Sequence, residues 1–300
     1  MRRSLTVLAS VALAAGAGLV SALPAAAKDS SPSHSWHGVE TSPYVALGDS
    51  YSSAAGVLPQ VPGALSLCSR SLVNYPHDIV AVTRASSFTD VTCSGAKTSD
   101  FFSAQAGVAP PQLDAVTRET RLVTMTIGGN DGGAFSRILT GCVAASAASG
   151  SQFGNPCQRT YGSTFVDIVA HQTYPNLVKA LRAVHRKAPR ATVAILGYPR
   201  VLPDRGVPAC YPSMPISMGD VPYVVDWADA LNSAVEKAAV ETGSRFIDMS
   251  RSSAGHDACR PAGRRWIEPL NGPVNAAAVH PNTAGEAAMA RQTLVQLFHR

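Results

Sequence analysis

The stretch YVALGDSYSSAAG, residues 44–56, decides how the chain is read. An apolar and aromatic run, Tyr44 to Leu47, leads straight into Gly48, Asp49 and Ser50 and then into small residues. That is the pattern of a buried strand turning sharply into a short helix. Gly48 permits the tight turn. A serine there stands at the strand's C-terminal end, where a helix start offers N–H groups and a positive dipole end to developing negative charge. Taken by itself the triplet is weak, because a turn with Ser50 capping a helix is ordinary architecture.

Further apolar runs at Phe88 to Thr92, Leu122 to Ile127, Thr192 to Leu196 and Phe246 to Met249 read as four more buried strands. Stretches with apolar residues at three- and four-residue intervals, around Tyr75 to Arg84, Thr164 to Arg186 and Tyr223 to Thr242, read as helices between them. Thr283 and Glu286 form a capping-box pattern ahead of a closing amphipathic helix. Alternating strands and helices imply right-handed crossovers, a parallel sheet between helical layers, and a site at the strands' C-terminal ends. Two stretches break the pattern: residues 132–163, rich in Gly, Ser and Ala, and residues 198–222, rich in Pro. Both are expected to be long loops walling a cleft. No internal repeat or charge-run linker supports a second domain, so residues 43–300 are expected to form one catalytic domain.

Arg2 and Arg3 precede an apolar run from Leu5 to Leu23 that ends in Pro24, Ala25, Ala26 and Ala27. This is the pattern of a secretory signal peptide, residues 1–27, followed by a polar, flexible lead-in over residues 28–42. The expected product is secreted, with no stable membrane insertion. Without the leader's two arginines, 23 Lys and Arg face 20 Asp and Glu, a net charge of +3. No basic cluster with interleaved aromatics appears, which argues against a nucleic-acid partner. The six cysteines of an exported chain point to three disulfides. Six thiols allow 15 pairings. Spacing favours neighbours, Cys68–Cys93, Cys142–Cys157 and Cys210–Cys259, without excluding the rest. There is no C-x-x-C, no H-E-x-x-H and no Cys/His pair at finger spacing, so no metal site is expected.

Three later segments complete the chemistry. TMTIGGNDGG, residues 124–133, ends a strand in two glycines, Asn130 and Asp131, and an asparagine amide there can point a donor at an oxygen becoming negative. CSGAKTSD, residues 93–100, puts the Gly95 N–H after the second strand as a further donor. VNAAAVHPNTAGEAA, residues 274–288, places His280 on a loop just before the closing helix. Each has a plainer reading, as a helix cap, a turn and a surface histidine.

Together, G-D-S, a central Gly, G-x-N-D and a late H-P-N, in this order, resemble the four sequence blocks of the SGNH (GDSL-type) hydrolases, from about Tyr44 to the C-terminus. The six cysteines and HDACRPAGRRWIEP, residues 256–269, are similar to the secreted actinobacterial lipase and esterase branch. The resemblance implies a flavodoxin-like three-layer α/β/α fold on a parallel five-stranded sheet, with no cofactor. It implies Ser50 as nucleophile, His280 as general base, and an oxyanion hole made of the Ser50 N–H, the Gly95 N–H and the Asn130 side chain. One position departs from the family pattern: three residues before the histidine, where the family carries Asp, stands Ala277. A backbone carbonyl, of Ala277 or Ala278, is expected to orient His280 instead, with Asp257 and Glu268 as remote alternatives.

The expected substrate is an acyl ester of a lipid, met through transient contact with a lipid interface by a monomer. Leu58, Val61, Phe101, Phe102, Phe135, Met214, Ile216 and Met218 are candidate acyl-contacting residues. The rival readings are a polysaccharide or small-ester acetyl esterase and a non-catalytic binding module on the same fold.

Overall fold

The computed structural model describes residues 42–298; the expected signal peptide and, apart from Ser42, the lead-in lie outside the described residues. Along the chain run β1 (Tyr44–Ala46), α1 (Ser50–Ser53), α2 (Tyr75–Thr83), β2 (Phe88–Asp90), β3 (Leu122–Met125), α3 (Ala134–Ser149) and α4 (Pro156–Tyr161). After them come α5 (Thr164–Ile168), α6 (Tyr174–Lys187), β4 (Thr192–Leu196), α7 (Val221–Thr242), β5 (Arg245–Ile247), α8 (Met249–Ser252) and α9 (Thr283–Phe298).

All strand pairs are parallel, in the order β2-β1-β3-β4-β5. Tyr44 of β1 sits opposite Phe88 on one side and Leu122 on the other. Every residue of β1 and β3 is buried, as expected of central strands covered on both faces, whereas the edge strands β2 and β5 are only partly buried, which corrects the reading of all five runs as buried. The chain steps one way from β1 to β2 and the other way from β3 through β4 to β5. Right-handed crossovers therefore place α2 on one face and α6 and α7 on the other, and α9 returns to pack on α2. The reversal of direction falls between β1 and β3, opening a crevice beyond their C-terminal ends.

The strands are three to five residues long because their last apolar residues build turns. Leu47 N–H and Asp49 N–H still donate to Thr124 O and Thr126 O, at 3.0 and 2.9 Å. β5 starts one residue earlier than its apolar run and stops at Ile247, because the Asp248 carboxylate accepts from Arg251 N–H and caps α8. The helical stretch beginning at Thr164 contains a wide π-turn, Val169–Thr173. Its cause lies just beyond, where Pro175 lacks an N–H and its ring crowds the carbonyl four residues back.

Residues 132–163 correct the sequence reading, because they are chiefly helix and not a long loop. α3 fills 16 of these positions, bracketed by Gly133 and Gly150 in left-handed conformations. The glycines mark helix ends, while the alanines between them are strong helix formers. Cys142–Cys157 joins α3 to α4, Cys68–Cys93 ties the segment before α2 to the loop after β2, and Cys210–Cys259 ties the Pro-rich region to the loop after α8. Residues 198–222 hold only short 3-10 turns before α7 begins.

The capping box at Thr283 and Glu286 does not form. Asn282 caps α9, its Oδ1 accepting from Gly285 N–H at 3.1 Å. The fully buried Glu286 instead accepts from Tyr75 N–H, at the start of α2, at 2.8 Å, and its other oxygen has no partner among the described residues. Burial first, then the carboxylates of Asp78, Asp90 and Asp49, push its pKa well above the usual range, against the Tyr75 bond that lowers it. A raised folded-state pKa gives stability that is complete below the unfolded value and lost as pH rises toward the folded one. Glu286→Gln retains an acceptor for Tyr75 without that titration. Its stability relative to the wild type is therefore expected to rise between pH 5 and pH 8 in urea unfolding; a pH-independent difference contradicts the assignment.

Candidate active site

Ser50 opens α1 at the end of β1, and Asp49 caps that helix, its Oδ1 accepting from Tyr51 N–H at 3.0 Å. The turn needs glycine at 48. Its φ is +125°, and a Cβ there would lie 2.5 Å from both Ser52 Oγ and Thr126 O. The buried Gln112 side chain clamps the same residue, accepting from Gly48 N–H at 2.7 Å and donating to Gly48 O at 2.9 Å. Ser50 is 6% exposed and its hydroxyl has no hydrogen-bond partner among the described residues.

The turn after β3 brings up Asn130. Its Nδ2 donates to Ala96 O at 3.1 Å, which uses one of two amide hydrogens and sets the side chain beside Gly95. Asp131 fastens the same two loops, accepting from the Thr98 N–H at 2.9 Å and hydroxyl at 2.7 Å. Gly95 is exposed, in a left-handed turn with φ +76°, and its N–H and that of Ser50 have no acceptor among the described residues. Cys93, two residues earlier, donates its N–H to Gly48 O at 3.0 Å, so the loop also hangs on the Ser50 turn.

His280 comes from the far end of the chain. The Tyr51 hydroxyl donates to Val279 O at 2.6 Å, and Ala277 N–H to Ala55 O at 2.8 Å, which docks the histidine loop on α1. The His280 ring lies 5.2 Å from the Tyr51 ring and 6.0 Å from Phe135, centre to centre. Its Nδ1 is 2.7 Å from Ala278 O. A carbonyl only accepts, so Nδ1 carries the proton and Nε2 of the neutral ring is a bare base. Burial, opposed by the Ala278 carbonyl, lowers the histidine's pKa and favours that neutral form. Ser50 and His280 are not hydrogen-bonded to each other.

Of the two alanines, Ala278 supplies the carbonyl to the ring, while Ala277 O accepts from the His280 backbone N–H at 3.2 Å. Asp257 bonds Cys259 N–H and Arg260. The Glu268 carboxylate is held by Asn282, Arg265 and Val274, so neither acid engages the ring. Three of the candidate acyl-contacting residues, Phe101, Met214 and Ile216, are core. Leu58 is 76% exposed. Phe135 stands between His280 and Trp227 and lines a narrow apolar slot with Leu139, Leu202, Val224 and Tyr198.

Sequence reading missed a buried polar network beneath the site. Asp49 Oδ1 accepts from the Thr126 hydroxyl at 2.7 Å, and its Oδ2 from the Tyr198 hydroxyl. Burial raises Asp49 to a pKa of about 6, against these hydrogen bonds, which lower it. The one available signal was position, since Thr126 directly follows β3 and Tyr198 stands two residues after β4.

The GDSL-like Lipase/Acylhydrolase family pattern matches residues 46–288. The chain is 48% identical over 251 residues to Lipase 2 of Streptomyces coelicolor, covering 84% of each. It superposes on phospholipase A1 from Streptomyces albidoflavus with a TM-score of 0.71 at 30% identity, covering 85% of this chain and 99% of that one. An extracellular lipase from Streptomyces rimosus gives 0.70 at 28% identity over the same shares.

The docking of the histidine loop can be tested at Gly56. A Cβ there, on a backbone with φ +83°, would sit 2.4 Å from Ala277 N. Gly56→Ala is expected to cost about 2 kcal/mol or more of stability, from strain and the broken Ala277–Ala55 bond. Thermal melting indistinguishable from wild type would mean that this contact does not hold the loop.

Proposed function

The chain belongs to the GDSL-like lipase/acylhydrolase family and is a carboxylic ester hydrolase of the lipase/esterase type, and from that premise we propose that it cleaves acyl esters through a Ser50–His280 dyad. The observation that carries the assignment is the bond from the Tyr51 hydroxyl to Val279 O, which sets the neighbours of Ser50 and His280 against each other. His280 Nε2 takes the Ser50 proton as Oγ attacks the ester carbonyl. The N–H groups of Ser50 and Gly95 and the free amide hydrogen of Asn130 stabilise the oxyanion, each such donor being worth roughly 3 to 4 kcal/mol. The imidazolium gives its proton to the departing alcohol, leaving an acyl-serine. Water activated by the same nitrogen then releases the acid and restores the serine. Ala278 O holds the tautomer in place of a carboxylate.

The protein is exported, in this reading, on the strength of its N-terminal pattern and its three disulfides. No helix among the described residues is long and apolar enough to cross a membrane. The likeness to a Streptomyces coelicolor lipase supports a lipid acyl ester over an acetyl ester, and the exposed Leu58 and Phe102 support passing contact with a lipid interface.

A p-nitrophenyl ester series from acetyl to palmitoyl tests this. Longer chains are expected to be preferred, with Ser50→Ala and His280→Gln each lowering kcat by about 1,000-fold or more. An acetyl-only profile replaces the lipase with an acetyl esterase. No hydrolysis, together with no labelling of Ser50 by an organophosphonate, favours a binding module.

A further inference from the structure

We infer that Tyr198 is a positioning residue of this hydrolase, its hydroxyl bracing the turn that carries Ser50 against the turn that carries Asn130. The inference rests on the roles proposed for those two residues. The Tyr198 hydroxyl donates to Asp49 Oδ2, one residue before Ser50, and accepts from Gly129 N–H at 3.0 Å, one residue before Asn130. Its single proton and an oxygen lone pair thus join the ends of β1 and β3. Its ring lies edge-on to Tyr51, 5.2 Å between centroids, and Tyr51 in turn holds Val279 beside His280.

The brace is itself anchored. Asn232 of α7 accepts from Tyr198 N–H at 2.7 Å and donates to Tyr198 O at 3.0 Å, so one side chain fixes both backbone polar groups. Gly129 is shaped to meet it. Its backbone lies outside the left-handed region, so glycine is not required for conformation there. A Cβ would fall 3.1 Å from the Tyr198 hydroxyl oxygen and ring, closer than an ordinary contact, so any side chain at 129 would press on the hydroxyl.

The brace works with Asp49 ionised. Tyr51 N–H, the Thr126 hydroxyl and the Tyr198 hydroxyl all donate to that carboxylate, and a protonated acid would have to turn one of them away. The other titratable groups around it are the Tyr51 and Tyr198 phenols, the raised acids Asp131 and Glu286, and His280 on the docked loop. His280 must also be neutral to act, so both groups shape the acid limb of activity. The Tyr198 bond lowers the pKa of Asp49, and removing it raises that pKa. The acid limb then moves to higher pH, which loss of packing alone would not cause.

Tyr198→Phe keeps the ring and deletes the hydroxyl. For p-nitrophenyl butyrate, kcat at pH 8 is expected to fall about tenfold with KM within about twofold, and the acid limb to move up by about half a pH unit. Wild-type kcat with an unmoved limb overturns the inference. If Tyr198→Phe does not fold, Asp49→Asn takes its place: its single oxygen, kept on Tyr51 N–H and the Thr126 hydroxyl, leaves an amide N–H facing the Tyr198 hydroxyl, so the brace is broken and the group cannot titrate. A lower kcat with an acid limb set by His280 alone then supports the brace, and an unchanged kcat overturns it. Wild-type protein that hydrolyses no ester overturns the hydrolase reading and the brace with it, whereas an active wild type matched by Tyr198→Phe overturns the brace alone.

Discussion

A carboxylate buried beneath the candidate nucleophile organises this structure. Asp49 is 1% exposed and accepts from three donors that arrive from α1, from the end of β3 and from the end of β4. An ionised group taken out of water is costly unless its lone pairs are filled, so those three segments are held at one separation. The network runs on: Ser52 Oγ meets Thr126 Oγ1 at 2.8 Å and Tyr75 OH at 3.2 Å, and Tyr75 and Tyr44 both reach Thr124 Oγ1. With Asp49 ionised, Thr126 must spend its proton on the acid, so Ser52 donates to Thr126. One charge thereby sets the direction of the hydroxyls around it, and a defect at one member is felt by the others.

The histidine is arranged on a different principle. Where a carboxylate would both hold the imidazole and stabilise its cation, Ala278 O does only the first. The cation formed during the proposed reaction is correspondingly less stabilised, which puts more weight on the donors around the oxyanion. Those donors are well supported. Gly95 follows a disulfide, the buried Cys93–Cys68, whose Cys68 O accepts from Ser94 N–H at 2.9 Å, and Asn130 is bonded to Ala96. Preorganised dipoles cost no reorganisation when charge develops.

Much of the fold was legible because the chain repeats one physical instruction. A strand buried on both faces must be an apolar run, as β1, β3 and β4 are, and the partly exposed edge strands β2 and β5 sit in apolar runs that still stand out against helical stretches of a different period. Residues 132–163 misled because glycine marks both a loop and a helix end, and only the neighbouring backbone distinguishes them. Glu286 misled for a related reason: local spacing suited a box within its own helix, but the N–H it accepts from is Tyr75's, at the start of α2, 211 residues away in sequence.

The sequence alone carried the parallel α/β architecture, the order of the chemical residue types and the vacancy at Ala277, since periodicity, strand-end glycines and residue identity are local properties. Tertiary structure alone decided that Ala278 O meets His280 Nδ1, that Asp257 and Glu268 are engaged elsewhere, and that Tyr198 meets both Asp49 and Gly129. A carbonyl has no residue-specific signature, and Asp49 and Tyr198 are 149 positions apart. Such contacts exist only after the strands pair and bring the ends of β1, β3 and β4 side by side, so no local pattern could announce them.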